Sequence, residues 1–177
     1  VDGLVQSEEL SLIEAAGARE EIVGAGCEGV VSVRTTHKAE SVRVKRYHRR
    51  SELERGVVGA ALIEAGLIEL GWADLVSVPV VLGVDLLDLV VVTAPFVRAP
   101  TDPLPARLVD ARVRARAAIV CAAGVAAGYS TPTVRKIVET RCGPDVAAAL
   151  TRCWFEGVAL KPDSLLCDGE RWVLVDL

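Results

Sequence analysis

The stretch from Glu21 to Lys45, EIVGAGCEGVVSVRTTHKAESVRVK, sets the narrowest limits on what this chain can fold into. Gly24, Gly26 and Gly29 fall at G-x-G-x-x-G spacing, and Val31 follows two residues later. β-Branched runs flank the glycines, and a third run, Val42-Arg43-Val44-Lys45, ends on a lone lysine. Glycine carries no Cβ, so a phosphate can come close to the main-chain N–H groups. A lysine on the next strand supplies a compact positive charge to the same ligand. A dinucleotide-binding turn of this spacing must open a helix. Here Val30, Val31 and Val33, then Val42 and Val44, favour strand instead. The stretch is therefore a glycine-rich turn between strands, either a phosphate loop or a plain hairpin.

Composition narrows the class further. Of 177 residues, 51% are hydrophobic and the mean hydropathy is +0.39, ample for one domain with room for two lobes. Aromatics are only 4%, so the core must be Val, Leu, Ile and Ala. No apolar run reaches about 18 residues without a charge, so no transmembrane helix is expected. Leu75 to Val97 comes nearest, and Asp85, Asp88, Pro79 and Pro95 interrupt it. The first ten residues, VDGLVQSEEL, are acidic and polar, unlike a signal peptide, which implies a cytoplasmic protein. A net charge of −4 argues against a broad nucleic-acid surface. A local basic run at Lys45, Arg46, His48, Arg49 and Arg50 is either an RNA or partner contact or a solvated helix entry. Five cysteines without a C-x-x-C pair read as small buried hydrophobes in a reducing compartment. Met and Asn are absent, Gln6 is the single glutamine and Arg outnumbers Lys 16 to 4, a pattern of high-GC or thermophile coding. A chain that begins with Val reads as an unusual start or a fragment.

The order of elements follows from periodicity and punctuation. Residues 7–18 read as a helix, with Ser11 and Glu14 at capping-box spacing and Leu10, Ile13 and Ala16 on one side. Strands follow at about 20–24, 29–36 and 40–46. Ser51, with Glu54 three residues on, is expected to cap a helix reaching about Ile68, with Val57, Val58, Ala61, Leu62 and Ala65 on its apolar face. Val76–Val84 and Asp88–Thr93 read as two more strands. Pro95, Pro100, Pro103 and Pro105 mark a linker. Helices are expected at 106–127, 132–141 and 144–156. A hairpin closes the chain, Ser164–Cys167 and Arg171–Val175 around Asp168-Gly169.

Four ordered motifs resemble the protein-kinase superfamily. They are the glycine loop with Val31, the Val42-Arg43-Val44-Lys45 strand, the strand and hinge Val90 to Val97, and Leu160-Lys161-Pro162-Asp163-Ser164-Leu165-Leu166. Val173-Leu174-Val175-Asp176-Leu177 is similar to the strand leading to the metal-binding Asp. The compact size and composition look like the small atypical archaeal type, similar to RIO kinases or the kinase subunit of the KEOPS complex. The resemblance implies an α+β, two-lobed protein-kinase-like fold. Residues 1–19 would be an N-terminal helix extension, and 20–97 an N-lobe with a five-stranded antiparallel sheet and one helix. Residues 98–105 would be the hinge, and 106–177 a reduced helical C-lobe with a short β-hairpin.

The same resemblance assigns roles. Gly24, Gly26, Gly29 and Val31 would cover the phosphates of ATP. Lys45 would contact them and pair with Glu54, or with Glu64. Ala94 and Phe96 would face adenine, and Ser164 and Asp176 would hold Mg²⁺. Several positions depart from the family pattern. Ala159 stands where the catalytic Asp belongs, and alanine cannot orient a substrate hydroxyl; Asp163 is a weak substitute. Ser164 replaces a metal-binding Asn, and Arg43 replaces the alanine that packs on the base. The chain also stops one residue after Asp176, without an activation segment. The leading expectation is a pseudokinase or very weak Ser/Thr kinase acting through nucleotide or partner binding. The alternatives are an active atypical Ser/Thr kinase or ATPase, and an assembly subunit of a tRNA-modification or ribosome-maturation complex. Expected partners are a protein or a second copy, RNA through Lys45, Arg46, Arg49 and Arg50, and no membrane.

Overall fold

The computed structural model describes residues 20–35, 40–99, 102–150, 160, 164–169 and 171–175. The expected helix over 7–18, the end of the helix over 144–156, and Ala159, Asp163 and Asp176 lie outside the described residues.

The chain is α+β. β1 (Glu20–Ala25), β2 (Gly29–Thr35) and β3 (Ser41–Tyr47) form a meander. α1 (Arg50–Glu69) follows, then β4 (Val76–Ser77), β5 (Val80–Asp85) and β6 (Val90–Ala94). The second half holds α2 (Ala106–Ala126), α3 (Thr131–Cys142), α4 (Pro144–Leu150), β7 (Leu165–Asp168) and β8 (Arg171–Leu174). The large sheet is antiparallel, with order β1-β2-β3-β6-β5. β6 thus slips between β3 and β5, so the lysine strand is central. A smaller sheet has order β4-β8-β7, and its β4–β8 pair is parallel.

Local expectations shift at three places. The run Val76–Val84 is two strands, because Pro79 has no N–H to give a ladder and the chain changes sheets there. Asp88 belongs to a turn, where the Asp85 carboxylate accepts the N–H groups of Leu87 and Asp88 at 2.8 and 3.0 Å. Helix α1 starts one residue before Ser51 and is N-capped by Arg49 without a side-chain bond. Ser51 is thus already helical and cannot cap. Ser130 caps α3 ahead of Pro132, and Gly143 stops it at φ +90°.

Alternation sorts the β3 residues onto two faces. Val42 and Val44 join Val90 and Val92 on one face, all buried. Arg43, Lys45 and Tyr47 point to the other face, with Val91, towards α1. A separate core joins the two halves of the chain. Ile63 and Leu67 of α1, Val76, Ile119 and Ala122 of α2, and Leu165, Trp172 and Leu174 of the small sheet pack together.

Candidate functional site

The glycine turn and the lysine meet because β2 runs between them. Val31 lies opposite Lys45 in the β2–β3 ladder, and Gly29 opposite Tyr47. The turn itself is closed by a 2.9 Å bond from the Gly26 N–H to the Gly29 carbonyl. It is tied to the end of β3 by the His48 N–H, which donates to the Glu28 carbonyl at 3.0 Å. The His48 ring Nε2 also lies 3.2 Å from the Gly26 carbonyl. Gly24 and Gly26 face open space, since an added Cβ would meet nothing within 4 Å.

Lys45 is 3% exposed and its ammonium makes an ion pair with the Glu28 carboxylate at 3.5 Å. It also sits 4.4 Å from the centre of the Tyr47 ring, a cation–π contact. The described partner of the lysine thus comes from the glycine turn and not from α1. Glu54 pairs instead with Arg50 one turn earlier, at 2.8 Å. Glu64 pairs with Arg141 of α3, whose guanidinium also donates to the Pro79 carbonyl. A helix start set at Arg50 puts Glu54 and Arg50 at i, i+4 on one side, which settles that local pair.

Beneath Arg43 lies a cavity of about 50 Å³. Arg43, Tyr47, Val91 and Thr93 of the large sheet line it, together with Val57 of α1, Arg141, and Leu174 and Val175 at the end of β8. The end of the small sheet is therefore brought under β3. Ser164 is buried, and its carbonyl accepts the Val175 N–H at 2.8 Å. The cavity has room for a few water molecules, against the roughly 300–1,000 Å³ of common ligand pockets. The backbone of the expected hinge is also engaged. Ala94 pairs with Val80 in the ladder, and the Phe96 N–H donates to the Ser41 carbonyl at 3.3 Å. The Arg43 cavity is thus too small for a purine ring. Among the described residues no cluster of three His, Cys, Asp or Glu could hold a metal.

The basic run divides into a buried Lys45 and exposed residues after it. Lys45 is buried, which corrects its expected role as an RNA contact, and Arg50 is engaged with Glu54. Arg46, His48, Arg49 and Arg50 are exposed. Among the described residues no helix is long and apolar enough to cross a membrane. The described cysteines, Cys27, Cys121, Cys142 and Cys167, are free thiols. Cys27 and Cys121 are exposed, contrary to the expected burial, and burial pushes the Cys142 thiol up to about 11.

Sequence reasoning missed Glu28 and Arg141, and placed His48 only in the basic run. Glu28 occupies a spacer position of the glycine motif, where residue type carries no spacing signal. Arg141 acts across a long-range contact that periodicity does not report. No protein-family model, curated protein or solved structure matched the chain.

Proposed function

We propose that the chain is a two-lobed, kinase-like protein with a degenerate catalytic loop that works by binding through its glycine turn and Lys45. The observation that carries this reading is the contact between Glu28 of the glycine turn and Lys45 of the central strand. An antiparallel sheet of order β1-β2-β3-β6-β5, with one helix after the third strand, places Lys45 beside the turn. Ser164 and Asp176 would be the residues to hold Mg²⁺, which would neutralise phosphate charge there. Alanine at 159 removes the group that would orient a hydroxyl nucleophile, so binding without efficient phosphoryl transfer is the expected behaviour.

The test is calorimetry of the full chain with ATP and Mg²⁺, with Lys45→Ala as control. Binding that the substitution abolishes, without radiolabel transfer, is the expected result. No heat at millimolar nucleotide would remove nucleotide recognition. Label incorporation that depends on Lys45 would favour an active kinase.

A further inference from the structure

Glu28 is the sole acidic residue between Gly24 and Gly29, and the fold delivers its carboxylate to Lys45. The delivery is not left to a loose loop. The Glu28 carbonyl is held by the His48 N–H, and the Gly26 carbonyl lies against the His48 ring, so the turn is anchored on both sides of Cys27. Carboxylate and phosphate oxygens are alternative charge-assisted partners for an ammonium group. A carboxylate already at 3.5 Å from Lys45 competes with any phosphate brought to the same turn.

The geometry points to Glu28 as an internal gate on Lys45: an anion of the polyphosphate class that pairs with the lysine displaces the Glu28 side chain from it. This rests on the reading of Lys45 as the phosphate-binding group of the turn. Displacement needs no disruption of the sheet. The Glu28 side chain is 23% exposed, beside the exposed Cys27 at the tip of the turn, so it can turn into solvent while both His48 contacts persist. Lys45 lies nearly buried on a central strand and stays in place. The turn is thus a two-state element, with the lysine held either by the protein or by the ligand.

The probe is inorganic tripolyphosphate, which carries the anion without a base, titrated calorimetrically at low ionic strength into the full chain. Glu28→Gln keeps the size of the side chain and removes its charge. It is expected to bind tripolyphosphate at least about tenfold more tightly than the unaltered protein, about 1.4 kcal/mol. Glu28→Gln combined with Lys45→Met is expected to lose the gain, and Glu28→Ala to repeat it; thermal melts verify that each variant is folded. Equal or weaker binding by both Glu28 variants would overturn the gate and leave Glu28 as a structural anchor. No binding by any protein would overturn it too. A gain for tripolyphosphate without any ATP binding would keep the gate and remove the nucleotide reading. Equal ATP binding by all Glu28 forms would do the reverse.

Discussion

A Cβ built on Gly29 would sit 2.1 Å from the Arg46 carbonyl oxygen, a backbone atom that cannot move without breaking the β2–β3 ladder. The fold therefore needs glycine at that position. Gly24 and Gly26 have open space where a side chain would go. Gly29→Ala is expected to destabilise by about 1–3 kcal/mol, read as a shift in urea midpoint. Gly24→Ala and Gly26→Ala should move the midpoint little, so any loss of tripolyphosphate binding in them reports on the ligand-facing side of the turn. At the same scale, Glu20 accepts hydrogen bonds from the Ser32 hydroxyl and from Arg34, the latter at 2.8 Å, and these hold its pKa below the ordinary carboxylate value. A depressed native pKa means that the unfolded state binds the proton more readily. The stabilisation is full above the ordinary carboxylate range and is lost as pH falls through the native value. Glu20→Gln should lower Tm at neutral pH, and the difference from the unaltered protein should close towards about pH 3. A constant difference across that range would exclude the charge as its source.

Among the elements, α1 and α2 are in tight contact at Gly66. A Cβ there would lie 2.6 Å from the Ala122 carbonyl oxygen of α2. Small residues let the two helices meet with Ile63, Leu67, Ala118, Ile119 and Ala122 buried along the seam. Gly66→Ala gains helix propensity, yet forces the helices apart. A net loss of about 1–3 kcal/mol is expected, measured by chemical denaturation. An unchanged or raised stability would show that the seam can adjust. The apolar face of α1 was legible from its 3.6-residue period, as were the three β-branched runs before it. Its start was not legible, because the Ser51 and Glu54 pair has capping-box spacing but lies inside the helix. Spacing alone cannot tell a cap from a first-turn pair.

At the scale of the molecule, the parallel β4–β8 pair ties the end of the chain to its middle. Val76 lies opposite Trp172 and Ser77 opposite Val173. Trp172 is 1% exposed, with the Arg112 guanidinium 5.8 Å from its ring centre and Val76, Leu165 and Leu174 in the same cluster. Trp172→Ala should cost about 3–5 kcal/mol, a large share of the total stability of a domain. Because one core spans α1, α2 and the small sheet, that loss should lower a single cooperative transition. Circular dichroism and fluorescence melts that coincide would bear this out. Separate melting of the two halves would contradict it.

From the sequence alone came the α+β class, the five β-rich runs of the large sheet, the single helix after the third, and the three helices and hairpin of the second half. These are local matters: alternation, helical period and the punctuation of Gly and Pro act over a few residues. The glycines and Lys45 were legible as a candidate phosphate site for the same reason. Tertiary structure alone decided what those groups touch. Lys45 is met by Glu28 because the β2–β3 register and the two His48 contacts set the turn over it, while Glu54 and Glu64 find Arg50 and Arg141. Arg43 turns into the cavity because β3 alternates and Lys45 shares its face. The run from Val76 changes sheets at Pro79, and its first two residues pair with a strand nearly a hundred residues later. Such partners are chosen by long-range packing, which no local spacing encodes.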